Sequence, residues 1–166
     1  MKSLVLFRHG DAEWGNGIDH ERTLSPEGER ASRVMGRFLR ATGVPPNSVI
    51  TSSAVRAQSS ANLAIEAGGW SPQVRVTRAL YEATPFTILD EIRTEPTTSG
   101  SLMVVGHQPT CGELSGLLIQ GNPVRFVTAA MIRIDLAIEH WSDAEYGCGE
   151  LVWYVPPAIV AKAYAD

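Results

Sequence analysis

Lysine is nearly missing from this chain: twelve of its fourteen basic residues are Arg, and only Lys2 and Lys162 are Lys. Eighteen acidic residues outweigh them, giving a formal net charge of −4 at pH 7. No basic run exists, so the cationic footprint of a nucleic-acid binder and a polybasic membrane patch are both excluded as expectations. Cysteine is scarce as well. Cys111 and Cys148 lie far apart and form no CxxC, which reads as two free thiols. Long apolar runs are absent: Leu4 to Phe7 spans four residues before Arg8 and His9 interrupt it. That is too short for a signal-peptide core, and no later stretch approaches a membrane span. Repeats and low-complexity tracts are missing too. What remains is 166 residues with 44% hydrophobic content, enough for one buried core. The expectation is a cytoplasmic protein with a single domain over residues 1–166.

The patterning alternates between strand and helix. Leu4-Val5-Leu6-Phe7 suits a buried strand, followed by a glycine-containing loop from Asp11 to Arg22. Ser25-Pro26 forms an N-cap with Pro at the first helical position. Behind it Ala31, Val34, Met35, Phe38 and Leu39 share one helical face. Val49-Ile50-Thr51 reads as a second strand, leading into a helix with Ala57, Ala61, Ala64 and Ile65 on one side and Gly68-Gly69 at its end. A brief strand at Val74-Arg75-Val76 precedes a helix over 85–93. Leu102 to Val105 reads as a third buried strand, and Thr110 with Glu113 suggests a capping box for the helix carrying Leu114, Leu117 and Leu118. Near the end, Ala130, Ile132, Ile134 and Leu136 alternate with Met131, Arg133 and Asp135, a half-buried strand of period two, and Leu151, Trp153 and Val155 alternate likewise. These imply an antiparallel pair, with a short helix around 158–164. The fold class is therefore α/β: a three-layer α/β/α sandwich with a mostly parallel central sheet and an antiparallel edge.

Three buried strands each run into a loop rich in polar side chains: Arg8-His9-Gly10, Ser52-Ser53-Ala54-Val55-Arg56, and Gly106-His107-Gln108-Pro109. Ligands of open α/β sheets bind outside the carboxyl ends of the strands. If the strands are parallel, these loops bring two His, two Arg and two helix N-termini to one edge. Guanidinium forks and backbone N–H groups match the oxygens of a phosphoryl dianion.

These three motifs, with Asp11-Ala12 after the first and Ala57-Gln58-Ser59-Ser60 after the second, resemble the signatures of the histidine phosphatase superfamily, the phosphoglycerate mutase-like fold. The likeness runs in order from Leu4 to about Pro109. The short chain, Arg8-His9-Gly10-Asp11-Ala12 and Thr23-Leu24-Ser25-Pro26-Glu27-Gly28 are most similar to small phosphohistidine phosphatases of the SixA type. The resemblance implies that His9 is the nucleophile that becomes phosphorylated. Arg8, Arg56 and His107 would bind the phosphoryl oxygens and stabilise the transition state. Glu82, in Leu80-Tyr81-Glu82-Ala83, matches the acid of many relatives, with Asp11 as the fallback. Gly10 and Arg22 are expected beside the bound phosphate.

Splitting one displacement into two through a phosphohistidine is sound chemistry, and positioning with electrostatics supplies most of its rate. No cofactor or metal is expected; no HExxH is present, and Arg8 and Arg56 would repel a cation. Gln108 stands where the phytase-like branch has Asp, and Gly15 where mutases carry a substrate-binding Asn, so neither of those activities is expected. His20 and His140 show no ligand spacing and read as structural or exposed, and Cys111 as a small packed thiol. The expected partner is a phosphorylated small molecule or a phosphohistidine protein. The alternative is a catalytically weak phosphate-binding regulatory module on the same fold.

Overall fold

A computed structural model describes residues 1–165 of the chain. Six strands form one sheet in the order β3-β2-β4-β1-β5-β6: β1 (Lys2–Arg8), β2 (Ser48–Ser52), β3 (Gln73–Thr77), β4 (Ser101–Gly106), β5 (Met131–Leu136) and β6 (Gly149–Val155). The first four are mutually parallel, and β5 runs antiparallel to both β1 and β6. Five helices accompany them: α1 (Pro26–Ala41), α2 (Val55–Gly68), α3 (Pro85–Arg93), α4 (Thr110–Ile119) and α5 (Pro157–Tyr164).

Period-two side-chain alternation divides the core between the two faces of the sheet. Leu4, Leu6, Ile50, Leu102, Val104 and Ile132 pack with residues of α3 and α4. Val5, Phe7, Val49, Met103, Val105 and Met131 pack with Met35 and Leu39 of α1 and the alanine face of α2. Both faces of β1 and β4 are buried, which is why these strands read as continuous apolar runs. The three-layer sandwich with an antiparallel edge is thus the observed architecture.

Local chemistry sets the boundaries. Ser25 Oγ accepts from the Gly28 N–H at 3.0 Å while Pro26 occupies the first turn of α1. Gly69 takes a left-handed conformation (φ 66°) that closes α2. The capping box at Thr110 does not form. Thr110 already lies within α4, and its hydroxyl donates to Ala83 O at 3.0 Å instead. Gln108 Oε1 accepts the Gly112 N–H in its place. In β6 the alternation of Leu151 and Trp153 is broken, because the pairing shifts between Arg133 and Ile134 so that Val152 is skipped. A bulge of this kind turns neighbouring side chains to opposite faces. Leu151 is consequently solvent-exposed, whereas Trp153 packs on Phe38 of α1.

Helices α1 and α2 meet backbone to backbone at Gly36, where an added Cβ would collide with the Ala64 carbonyl oxygen. Gly36→Ala is expected to destabilise the fold by about 1–3 kcal/mol, the usual cost of overpacking. A urea-unfolding midpoint unchanged from wild type would contradict this packing.

Candidate active site

The carboxyl ends of β1, β4 and β2 open on a cavity of about 410 Å³. Arg8, His9, Arg56 and His107 all line it, as do Asp11, Arg22 and Glu82. The parallel arrangement of β1, β2 and β4 therefore brings together the groups that their sequence positions implied.

His9 is held on every side. Its N–H donates to Gly106 O, its carbonyl accepts from the Ala129 N–H, and the Arg8 N–H donates to Ala130 O, each at 3.1 Å. The ring Nδ1 lies 2.7 Å from Gly10 O. A carbonyl only accepts, so Nδ1 carries the proton and Nε2 keeps its lone pair. That lone pair lies 3.3 Å from the Arg56 Nε–H. Burial pushes the His9 pKa down to about 3, opposed by the Gly10 carbonyl and aided by His107 and the two arginines. His9 is thus neutral at physiological pH, the form a nucleophile needs. His107 stands edge-on to it, ring centroids 5.0 Å apart. Its Nε2 shares a hydrogen bond with Ser52 Oγ at 2.9 Å, and burial first, then Arg56, lowers its pKa to about 4.

The two arginines are tethered differently. Arg8 Nη1 donates to Phe126 O at 2.8 Å, while its Nε is buried with no hydrogen-bond partner among the described residues. Burial lowers its pKa, yet a guanidinium remains charged. An anion in the cavity relieves that electrostatic deficit. Arg56 is buried and donates from Nη1 to Asp19 O at 2.8 Å and from Nη2 to Asp19 Oδ2 at 3.1 Å.

Gly10 departs from expectation. It does not line the cavity; its N–H donates to Ser60 Oγ at 2.9 Å. An added Cβ would come within 2.7 Å of the Gly28 carbonyl oxygen. Glycine is needed there for a close backbone approach to α1, and its carbonyl holds His9 Nδ1. Arg22 does reach the cavity, anchored by Glu13 O at 2.8 Å and Asp19 Oδ1 at 3.3 Å. Asp11 accepts from Ser25 Oγ at 2.7 Å, tying it to the start of α1. Glu82 lines the wall in a left-handed conformation (φ 54°), a strained state for a residue with a Cβ. His20 meets Ser53 Oγ at 2.8 Å, and His140 Nδ1 lies 3.1 Å from Thr97 Oγ1 outside the cavity. The buried Cys111 thiol is pushed up to about 12 by burial, so it is inert.

Sequence reasoning missed Asp19 and Tyr81. Both line the cavity, and the Tyr81 hydroxyl donates to Asp19 Oδ2 at 2.6 Å. Asp19 sits in a loop without a motif and Tyr81 beside Glu82 carries no signal of its own, so only the folded arrangement identifies them.

Two neutral imidazoles and fixed guanidinium groups around one cavity define a site for phosphoryl chemistry. The chain belongs to the histidine phosphatase superfamily (branch 1), whose profile matches residues 4–87. An uncharacterized protein of Mycobacterium tuberculosis is 34% identical over 163 residues, covering 91% of this chain and 99% of that protein. Phosphohistidine phosphatase SixA of Escherichia coli is 28% identical over 168 residues, covering 98% of each chain. The structure of the protein histidine phosphatase SixA complexed with tungstate superimposes with a TM-score of 0.83 at 23% identity, over 95% of this chain and 98% of that one. It has the same fold.

The lowered His9 and His107 pKa values give a pH test. Each ring takes up a proton more readily unfolded than folded, so stability is expected to fall as pH drops from about 6.5, the ordinary His value, towards 4. In nitrogen-detected NMR both rings should remain neutral at pH 5, with the His9 proton on Nδ1. Titration of His9 near 6.5 would contradict the assignment.

Proposed function

We propose that this chain is a phosphohydrolase working through a covalent phospho-His9 intermediate, with phosphohistidine carried on a protein as its substrate. The observation that carries the reading is the orientation of His9: Nδ1 is bound to Gly10 O and Nε2 faces the Arg56 guanidinium in the cavity. Nε2 attacks phosphorus, the bond to the leaving group breaks, and charge on the equatorial oxygens is met by Arg8, Arg56 and His107. Water then attacks phospho-His9, releasing phosphate and restoring the imidazole. Glu82 on the cavity wall is the acid for leaving groups that need a proton. A phosphorylated imidazole expels a better leaving group than an alkyl phosphate does, so it depends less on that acid.

Two features support a protein-borne substrate. One is the full-length likeness to phosphohistidine phosphatase SixA. The other is an apolar rim. Trp14 is 85% exposed and stacks on Arg22, with the guanidinium carbon 4.8 Å from the ring centroid. Ile18, Phe86 and Val127 are also exposed, each within two residues of a group lining the cavity. Exposed aromatic and aliphatic groups around a polar pocket suit a macromolecular surface better than a small sugar phosphate.

The test compares kcat/KM on a phosphohistidine protein and on an aryl phosphate, with chelator present. His9→Ala should abolish turnover of both, since no other group in the cavity replaces Nε2; substantial residual activity would sink the mechanism. A preference for the P–N bond supports the protein substrate, and a preference for the ester points to small phosphate monoesters. Binding of phosphate without any turnover would favour the regulatory module. Glu82→Gln should reduce turnover of alkyl phosphates by about 10²-fold or more and leave phosphohistidine far less affected. Equal small losses would remove Glu82 as the acid.

A further inference from the structure

One anion sits inside this anion-binding site. The side chain of Asp19 lines the cavity that holds Arg8, Arg56, His9 and His107, and its ionised form is stabilised, its pKa held far below the usual carboxylate range first by the Tyr81 hydroxyl and then by Arg56 and Arg22. By Coulomb's law alone a fixed carboxylate there opposes the entry of a phosphoryl dianion. Its hydrogen bonds explain what offsets that repulsion.

The Arg56 guanidinium has two ends. Nη1 and Nη2 are taken by the Asp19 carbonyl and carboxylate, at 2.8 and 3.1 Å. Its Nε side lies 3.3 Å from His9 Nε2, where the transferred phosphorus must arrive. A flexible four-torsion side chain is thereby fixed by its outer end, with the inner edge presented to the reacting atoms. Asp19 itself is fixed from both walls of the cleft. Tyr81 on the far wall donates to Oδ2 at 2.6 Å, and Arg22 to Oδ1 at 3.3 Å. The short 3-10 helix that carries Asp19 (Asp19–Glu21) is anchored through His20, which bonds Ser53 Oγ and stands edge-on to Tyr81. Four separate contacts therefore converge on the geometry of one guanidinium.

We propose that Asp19 is a positioning residue for phosphoryl transfer: it orients the Arg56 guanidinium towards the phosphoryl group on His9, at the expense of ground-state anion affinity. The inference rests on the phospho-His9 reading. It makes two effects of opposite sign out of one side chain. Removing the carboxylate takes away a negative charge, so orthophosphate binds as well or better. The same change removes the carboxylate tether of Arg56 Nη2 and leaves only the Asp19 carbonyl on Nη1, so the guanidinium is held less firmly, the transition state is met less well and kcat falls.

The experiment measures kcat and KM on an aryl phosphate, the inhibition constant of orthophosphate, and the melting temperature. It uses wild type, Asp19→Ala, Asp19→Asn and Tyr81→Phe. Asp19→Ala is expected to lower kcat by about 10- to 100-fold, the scale of losing alignment at a reacting centre, with orthophosphate inhibition unchanged or tighter. Asp19→Asn retains the backbone carbonyl and a side-chain oxygen for Arg56, so it should rescue most of kcat while still binding orthophosphate more tightly than wild type. Tyr81→Phe removes one tether and should lower kcat by less than Asp19→Ala does. A kcat for Asp19→Ala close to wild type overturns the proposal. So does a parallel loss of kcat, orthophosphate affinity and melting temperature, which marks a merely structural residue. Should Asp19→Ala not fold, Asp19→Asn and Tyr81→Phe decide: an Asn variant as inactive as His9→Ala, or a Phe variant with unchanged kcat, overturns it. Failure of wild type itself to turn over any phosphate substrate defeats the phospho-His9 reading, and is thus separable from failure of the Asp19 variants alone.

Discussion

The hydrogen bond from His9 Nδ1 to the Gly10 carbonyl, 2.7 Å long, is the contact on which the proposed chemistry of this protein depends. It decides which ring nitrogen carries the proton and therefore which one has a lone pair to use. Reversing the tautomer would leave Nε2 protonated and facing a guanidinium donor, with an empty acceptor duty at the Gly10 carbonyl. Burial reinforces the arrangement by holding the imidazole uncharged. Much of the surrounding structure keeps this one contact in register. Ser60 fixes the Gly10 amide, Gly28 allows the backbone to approach, and β4 and the 127–130 segment hold the His9 backbone between them.

A parallel sheet supplies this register without long-range machinery. Because β1, β2 and β4 point the same way, their last residues necessarily share one edge, and each loop has only a few residues in which to place its polar group. Arg8 ends β1, Ser52 ends β2, and His107 follows β4 directly. The electrostatic result is a concave surface with fixed cations and neutral imidazoles, its donors oriented before any anion arrives.

Much of this was legible in the sequence because buried strands and phosphate-binding loops have strong local grammars. The alternation of short apolar runs with helical faces gave the layers, and the His and Arg motifs gave the cavity floor. The errors are physical in origin. Thr110 was read as a cap from its spacing to Glu113, yet the Ala83 carbonyl competes for its hydroxyl and Gln108 takes the capping duty. The β6 alternation failed because a bulge is invisible to a period-two count. The closeness of Gly10 to Gly28, which makes a glycine necessary there, has no signal in the motif either. Asp19 and Tyr81 escaped notice because their significance lies in a meeting of residues 62 positions apart, for which local pattern holds no signal.

The backbone around His9 has a consequence for how such a protein changes over time. His9 is hydrogen-bonded to the centre of the sheet, so its backbone can open only when the core opens. The rim of the cavity carries exposed side chains from separate surface segments, such as Trp14 in a loop and Phe86 at the start of α3. Floor and rim thus differ in stiffness, one as rigid as the core and the other as tolerant of replacement as a surface, and they meet where Trp14 stacks on Arg22. A lineage with this layout can redraft its surface around the cavity while His9 and His107 stay where the sheet put them.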